Sequence, residues 1–322
     1  MTMISKRLAF IFPGQGSQVP GMGKALYEEN SIFREAFAQA QQALPFDLKD
    51  LCFNGPKETL DNTVYAQPCL LATSVAAYRT LLSHITVQPV FMAGLSLGEY
   101  SALTASGVFS LEQAASLVHH RGRFMENAVP QGKGTMAAIM GLDTAAIQEA
   151  CDQAIGSGIV EIANYNYAGQ TVIGGEVAAV RQAMELCLEK GAKRAVELAV
   201  SGPFHTSMLK EAAIQLENYF KDVAFGPWTV PVISNFRATP YETLEEASNL
   251  LVQQVVSSVQ WEQSVQYMIS QGVDTFVEIG TGKTLSSFVK RIDKTCTTLQ
   301  VEDPASLEKT IQCLEEYQHA DK

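Results

Sequence analysis

The 322-residue sequence predicts an α/β protein, with a parallel-sheet core interrupted by a small inserted domain. Short apolar runs that read as buried strands alternate with longer helical patterns, as in a parallel sheet with crossover helices. One stretch of about 65 residues breaks that rhythm with the order β-α-β-β-α-β. Hydrophobic residues make up 47% and charged residues 18%, so there is apolar material for a large core and the composition is the reverse of a disordered one.

Leu8 to Phe12 is an apolar run closed by Pro13-Gly14, which reads as a buried strand. Helical patterns follow near 31–44 and 68–83, then a second buried strand at Val90 to Ala93 and a strong helix over 111–129. From there the reading is strand Thr135–Leu142, helix Thr144–Ile155, strands Ile159–Asn164 and Gln170–Gly174, helix Val177–Lys190 and strand Arg194–Val200. That order is ferredoxin-like. It gives an inserted domain over 132–200 and a core domain from 1–131 and 201–322. The core resumes with strands at Val230–Ser234 and Thr275–Ile279 and helices near 207–221, 245–257 and 261–271; the last residues, through His319 and Lys322, are expected to fray.

The net charge of −11 argues against a nucleic-acid partner, since the chain would repel phosphate. None of the six cysteines forms a Cys-x-x-Cys, and the shortest gap between two of them is seventeen residues, so reduced thiols are expected and a zinc or redox motif is not. Lys6 and Arg7 precede an apolar run too short for a signal peptide, and no run is long enough to span a membrane. A cytoplasmic protein with no membrane partner is expected.

Two nucleotide-like motifs fail. Gly280-Thr-Gly-Lys-Thr284 follows a strand and precedes a helix, but the further glycine of a P-loop falls at Val277. Gly14-Gln-Gly16 resembles a dinucleotide fingerprint whose third glycine would be Val19. Gly94-Leu-Ser-Leu-Gly98 succeeds. It is G-x-S-x-G directly after a strand, with a helix beginning at Leu97. Such an elbow holds Ser96 in a strained conformation with its Oγ exposed. The Leu97 amide at the helix N-terminus can then donate to an oxyanion.

A nucleophilic serine needs a base. Of the five histidines, His319 lies in the tail, His84 ends a helix, and His119 and His120 lie in the 111–129 helix. His205 stands between a strand and a helix, where catalytic groups of α/β sheets gather, and is the base by elimination. On the 111–129 helix an apolar stripe runs through Leu111, Ala114, Ala115, Val118, Gly122, Met125 and Val129. Arg121 falls roughly 80° from the stripe's centre, a cation at the edge of a packed face and suited to a carboxylate or phosphate. His120 points to the opposite, solvated side, and His119 and Arg123 lie on the far flank.

Phe12-Pro-Gly-Gln-Gly-Ser-Gln18, Gly94-Leu-Ser-Leu-Gly-Glu-Tyr-Ser-Ala102, Arg121-Gly-Arg-Phe-Met125, Gly202-Pro-Phe-His205, Val259-Gln-Trp261 and Glu278-Ile-Gly280 occur in order. With these motifs the chain closely resembles the malonyl-CoA:acyl-carrier-protein transacylases of bacterial type II fatty acid synthesis, over about residues 7 to 310. The resemblance implies an α/β-hydrolase-like core with a ferredoxin-like insertion. It implies Ser96 as nucleophile, His205 as base, and Gln15 and Leu97 as oxyanion-hole amides. Arg121 would bind the malonyl carboxylate, Asn166 would lie near the acyl or thioester part of the cleft, and Phe204 suits malonyl over bulkier branched groups. Gln254 would orient His205 through its backbone carbonyl, in place of a hydrolase aspartate. At the acyl site Leu95 stands where many members have His, which leaves fatty acid and polyketide pathways both open. Ser258 and Thr281 replace common prolines near structural loops.

The implied reaction is a two-step transfer from malonyl-CoA to the phosphopantetheine thiol of acyl carrier protein, by a monomer without metal or redox cofactor. Lys190, Lys193, Arg194, Lys290 and Arg291 are candidates for docking an acidic carrier. The rivals are a trans-acting polyketide malonyltransferase, an editing hydrolase of acyl carriers, against which Arg121 argues, and a non-catalytic docking module, against which the intact Ser96, His205 and Gln15 argue.

Overall fold

The computed structural model describes residues 7–200 and 202–320. These form eight strands: β1 (Leu8–Phe12), β2 (Phe91–Gly94), β3 (Gly134–Met140), β4 (Val160–Tyr167), β5 (Gln170–Glu176), β6 (Arg194–Glu197), β7 (Thr275–Ile279) and β8 (Thr297–Val301). The chain divides into two compact units. One comprises the residues up to His119, Ala224–Ile233 and those from Gln266 on; the other comprises His120–Val223 and Ser234–Val265.

The first unit is built on a parallel sheet in the order β2-β1-β7-β8. β1 (LAFIF) and β7 (TFVEI) are buried along their whole length, as central strands of a parallel sheet covered on both faces should be. Register places Phe12 opposite Gly94, so the loops leaving β1 and β2 start side by side at the carboxyl end of the sheet. That is where α/β sheets bind ligands. β8 was not expected: Thr-Thr-Leu-Gln-Val is half-polar because it is an edge strand. The expected strand at Val230–Ser234 is reduced to a single parallel bridge between Met92 and Val232. Its flanks are bonded elsewhere: the Val230 amide donates to Ser106 Oγ, and the Ser234 amide to the Thr239 carbonyl.

The helix expected over 68–83 runs Thr63–His84 and is capped by Asn62, whose side chain accepts from the Val64 amide. Pro68 lies inside it. Proline has no N–H to give the carbonyl four residues back. That carbonyl, on Val64, is 3.2 Å from His119 Nδ1. His119, on the far flank of the apolar stripe, is therefore buried at a carbonyl released by a proline. The carboxy-terminal helix Pro304–Ala320 carries regular backbone through His319, where fraying was expected; 321–322 lie outside the described residues.

The second unit holds the antiparallel sheet β4-β5-β3-β6. Its elements follow the order expected, with helices Thr144–Ala154 and Val177–Glu189. The first and third strands of the motif are central, the ferredoxin-like arrangement. One face packs on the two helices through Ala137, Ile139, Ile147, Ile173 and Val180. β6 stops at Glu197, short of the expected Val200; it is a mostly exposed edge strand that among the described residues pairs only with β3.

All six cysteines are free thiols, five of them buried. Among the described residues no helix is long and apolar enough to cross a membrane, and no group of three or more His, Cys, Asp and Glu is placed to hold a metal ion.

Candidate active site

In the first unit the chain turns sharply from β2 into the helix Leu97–Ala105, with Ser96 at the N-cap at φ 55°, ψ −103°. A non-glycine residue held there costs about 1–3 kcal/mol and persists only where its surroundings over-determine it. Here the surroundings are backbone at close range. A Cβ on Gly94 would lie 2.1 Å from the Gly98 carbonyl oxygen, and one on Gly98 would lie 2.0 Å from that of Phe12. Both glycines of G-x-S-x-G are required by the absence of room.

The loop after β1 is built against this turn. The Leu95 amide donates to the Phe12 carbonyl at 3.2 Å, and a Cβ on Gly14 would lie 2.3 Å from the Leu95 carbonyl oxygen. Gln15 follows, its side chain donating to Thr63 Oγ1 at 2.9 Å. Leu97 is buried at the start of its helix, and Leu95 and Ser96 are half-buried.

The Walker-like run fares differently. The amides of Leu285 and Ser286, where a phosphate would be held, donate to the Glu278 carboxylate at 3.1 and 2.7 Å. That carboxylate is fully buried, and burial pushes its pKa up to about 7. The cradle is filled from within the protein.

In the second unit His205 is buried and strained, at φ 61°. Its Nδ1 lies 2.7 Å from the backbone carbonyl of Gln254. A carbonyl only accepts, so Nδ1 carries the hydrogen and Nε2 keeps its lone pair. The Gln254 side chain reaches the other way: its Oε1 accepts from Arg121 Nη2 at 2.9 Å. One residue of the helix Leu244–Val256 thus holds the imidazole by its main chain and the guanidinium by its side chain. Arg121 is 1% exposed, deeper than the stripe-edge position read from helical spacing. Burial, and next the Arg121 charge, push the His205 pKa down to about 4, against hydrogen bonding to the backbone at Gln254 and Ser257. His205 is therefore a neutral imidazole at pH 7.

Phe204 is buried beside His205 in sequence. Asn166, on β4, is buried with its Nδ2 on Gln170 Oε1 at 3.0 Å, while its Oδ1 has no hydrogen-bond partner among the described residues. His120 is half-buried against Tyr219, with ring centroids 4.8 Å apart, and is not the solvated residue expected. Among the docking candidates Lys193, Arg194, Lys290 and Arg291 are exposed, whereas Lys190 pairs with Glu149 at 3.1 Å and Lys290 Nζ donates to the Cys296 carbonyl. The structure thus gathers Arg121, His205 and Gln254 in one unit and Gln15, Ser96 and Leu97 in the other. The bond from Arg121 to the Gln254 side chain left no trace in the sequence, because it joins residues 133 positions apart.

Residues 9–309 match the family model described as acyl transferase domain. The malonyl CoA-acyl carrier protein transacylase of Bacillus subtilis is 43% identical over 96% of this chain and 98% of its own. The chain belongs to the malonyl CoA-acyl carrier protein transacylase family. Among solved structures, an acyl carrier protein S-malonyltransferase from Vibrio cholerae is similar with a TM-score of 0.92 and 42% identity, covering 95% of this chain and 100% of that one. A malonyl-transacylase in complex with its type II PKS acyl-carrier protein is similar with a TM-score of 0.94 and 40% identity, covering 96% and 100%.

Proposed function

We propose that this protein transfers the malonyl group of malonyl-CoA to the phosphopantetheine thiol of acyl carrier protein through a malonyl-serine ester. Ser96 Oγ attacks the thioester carbonyl while His205 Nε2 takes its proton. The amides of Gln15 and Leu97 receive the oxyanion. As the C–S bond breaks, the proton on His205 passes to the CoA sulfur. The carrier thiol then attacks the ester, giving its proton to His205, which returns it to Ser96. Arg121 reads the free carboxylate, and Leu95, Phe204 and Asn166 line the acyl end. Every step exchanges an ester with a thioester and no electrons change hands, so the reaction needs no redox cofactor, and the proposed steps use only side chains and backbone amides, with no metal. We further propose a cytoplasmic monomer in which 132–200 is an inserted domain and 1–131 with 201–322 the core.

The observation that carries this reading is the pair of groups on Gln254: a neutral buried imidazole and a buried guanidinium held by one residue. An editing hydrolase of neutral acyl groups has no use for that cation. Trans-acting loading of a polyketide carrier is the second reading, supported by the structural relative solved with a type II PKS acyl-carrier protein. Comparing transfer rates to the two classes of carrier separates them.

Incubation with malonyl-CoA alone should add one malonyl mass to the peptide holding Ser96, and Ser96→Ala should abolish it. Transfer to the carrier should follow ping-pong kinetics with parallel double-reciprocal lines. An adduct that survives in Ser96→Ala overturns the nucleophile assignment.

A further inference from the structure

His205 is strained, and the Gln254 carbonyl fixes only its ring. What fixes the backbone beneath it is the face of the antiparallel sheet away from the two helices. On β4, Val160 and Ile162 turn into the core cluster, so by strand alternation Glu161 projects from the opposite face. Gly174 on β5 is its cross-strand partner on that face, and Met136 on β3 is the partner of Gly174, with Gly134 two residues before it.

The segment 203–207 fits over these positions. A Cβ on Gly134 would lie 2.5 Å from the Pro203 ring, and one on Gly174 would lie 3.1 Å from Thr206 Cγ2 and 3.6 Å from the Phe204 carbonyl oxygen. At the end of the segment Ser207 donates twice to Glu161, from its backbone N–H to Oε2 at 2.7 Å and from its hydroxyl to Oε1 at 2.6 Å. Within the segment Thr206 Oγ1 donates to the Pro203 carbonyl at 2.7 Å. Glu161 and His205 also line one cavity of about 320 Å³, with Gln148, Tyr165 and Ser257. The glycines leave room for the segment, and the carboxylate, two-pronged onto Ser207, ties it down two residues after His205.

We propose that Glu161 is a positioning residue for the base: through Ser207 it holds the 203–207 segment on the sheet and so fixes His205 for proton transfer. The inference rests on His205 being the base. Glu161 touches no reacting atom, so its loss should lower kcat and leave the KM for malonyl-CoA within about threefold. A misplacement near 1 Å can cost on the order of 10²-fold in rate. Glu161→Ala is therefore expected to lose roughly ten- to a hundredfold in kcat, and Glu161→Gln, which keeps one acceptor, clearly less.

The test is a cycle with His205→Ala, rates being read from malonyl transfer to acyl carrier protein. In the wild-type background Glu161→Ala should show its full loss; in the His205→Ala background it should add less than about twofold, because there is no base left to position. Ser207→Ala, which removes one of the two bonds, should show the same pattern at smaller size, and it serves if Glu161→Ala fails to fold. An unchanged kcat in Glu161→Ala, an equal loss in both backgrounds, or a KM rising in step with the fall in kcat overturns the proposal. A His205→Ala enzyme with wild-type rate instead overturns the base assignment, and the two failures are told apart.

Discussion

Replacing Arg121 by alanine should convert a malonyl-selective transferase into one that no longer distinguishes malonyl from acetyl. Malonyl differs from acetyl by one carboxylate, so selectivity must reside in a group that reads that charge. Arg121 is 1% exposed and donates to the neutral Oε1 of Gln254 through Nη2. A carboxylate brought to such a guanidinium forms a largely desolvated pair. Truncating one partner of a buried pair costs about 3–5 kcal/mol. At 1.4 kcal/mol per decade that is roughly two to three and a half orders of magnitude in kcat/KM for malonyl-CoA. The substitution also frees Gln254, whose carbonyl holds His205, so some loss will fall on any acyl group. The ratio of kcat/KM for malonyl-CoA over acetyl-CoA removes this common factor, and it is the ratio that should collapse by at least about a hundredfold. Lysine should restore it only in part, having the charge without the planar fork. If the two substrates fall together and the ratio stands, Arg121 is a structural cation and the reasoning fails.

His205→Ala should lower transfer by roughly 10²–10⁴-fold, the usual worth of a general base, whereas His120→Ala, which removes a ring packed on Tyr219, should leave the rate within about twofold and lower the melting temperature instead; equal rate losses would show the wrong histidine was chosen. The pH dependence follows from the His205 pKa being pushed down to about 4. A base with a lowered pKa stays deprotonated to lower pH, so kcat/KM should hold its plateau well below the ordinary histidine value of about 6.5 before falling. Removing the Arg121 charge takes away one of the two causes of that depression, so Arg121→Ala should move the acid limb to higher pH; movement to lower pH would contradict the assignment.

Much of this protein was legible in one dimension because its signals are local. β1 is an unbroken apolar run since both its faces are covered, and the antiparallel sheet with its two helices announced itself by element order alone. The elbow was readable because G-x-S-x-G states a steric requirement within five residues, which the backbone contacts of Gly94 and Gly98 bear out. What tertiary structure decided was whatever depends on partners far along the chain. The Val230–Ser234 run has strand composition, yet its flanking amides are bonded to Ser106 and Thr239, leaving one bridge. His119 lay on the far flank of its helix with no partner in view, because the carbonyl that Pro68 releases is 55 residues away. Arg121 looked like a stripe-edge cation and is buried on the side chain of Gln254. Glu161 had no sequence signal at all: its meaning comes from lying beside Gly174 in register and beneath Ser207 in space. Periodicity reports which face of an element is apolar. It carries no information on which distant atom meets a polar group there, and in this protein those meetings fix the tautomer of the histidine and hold the buried arginine.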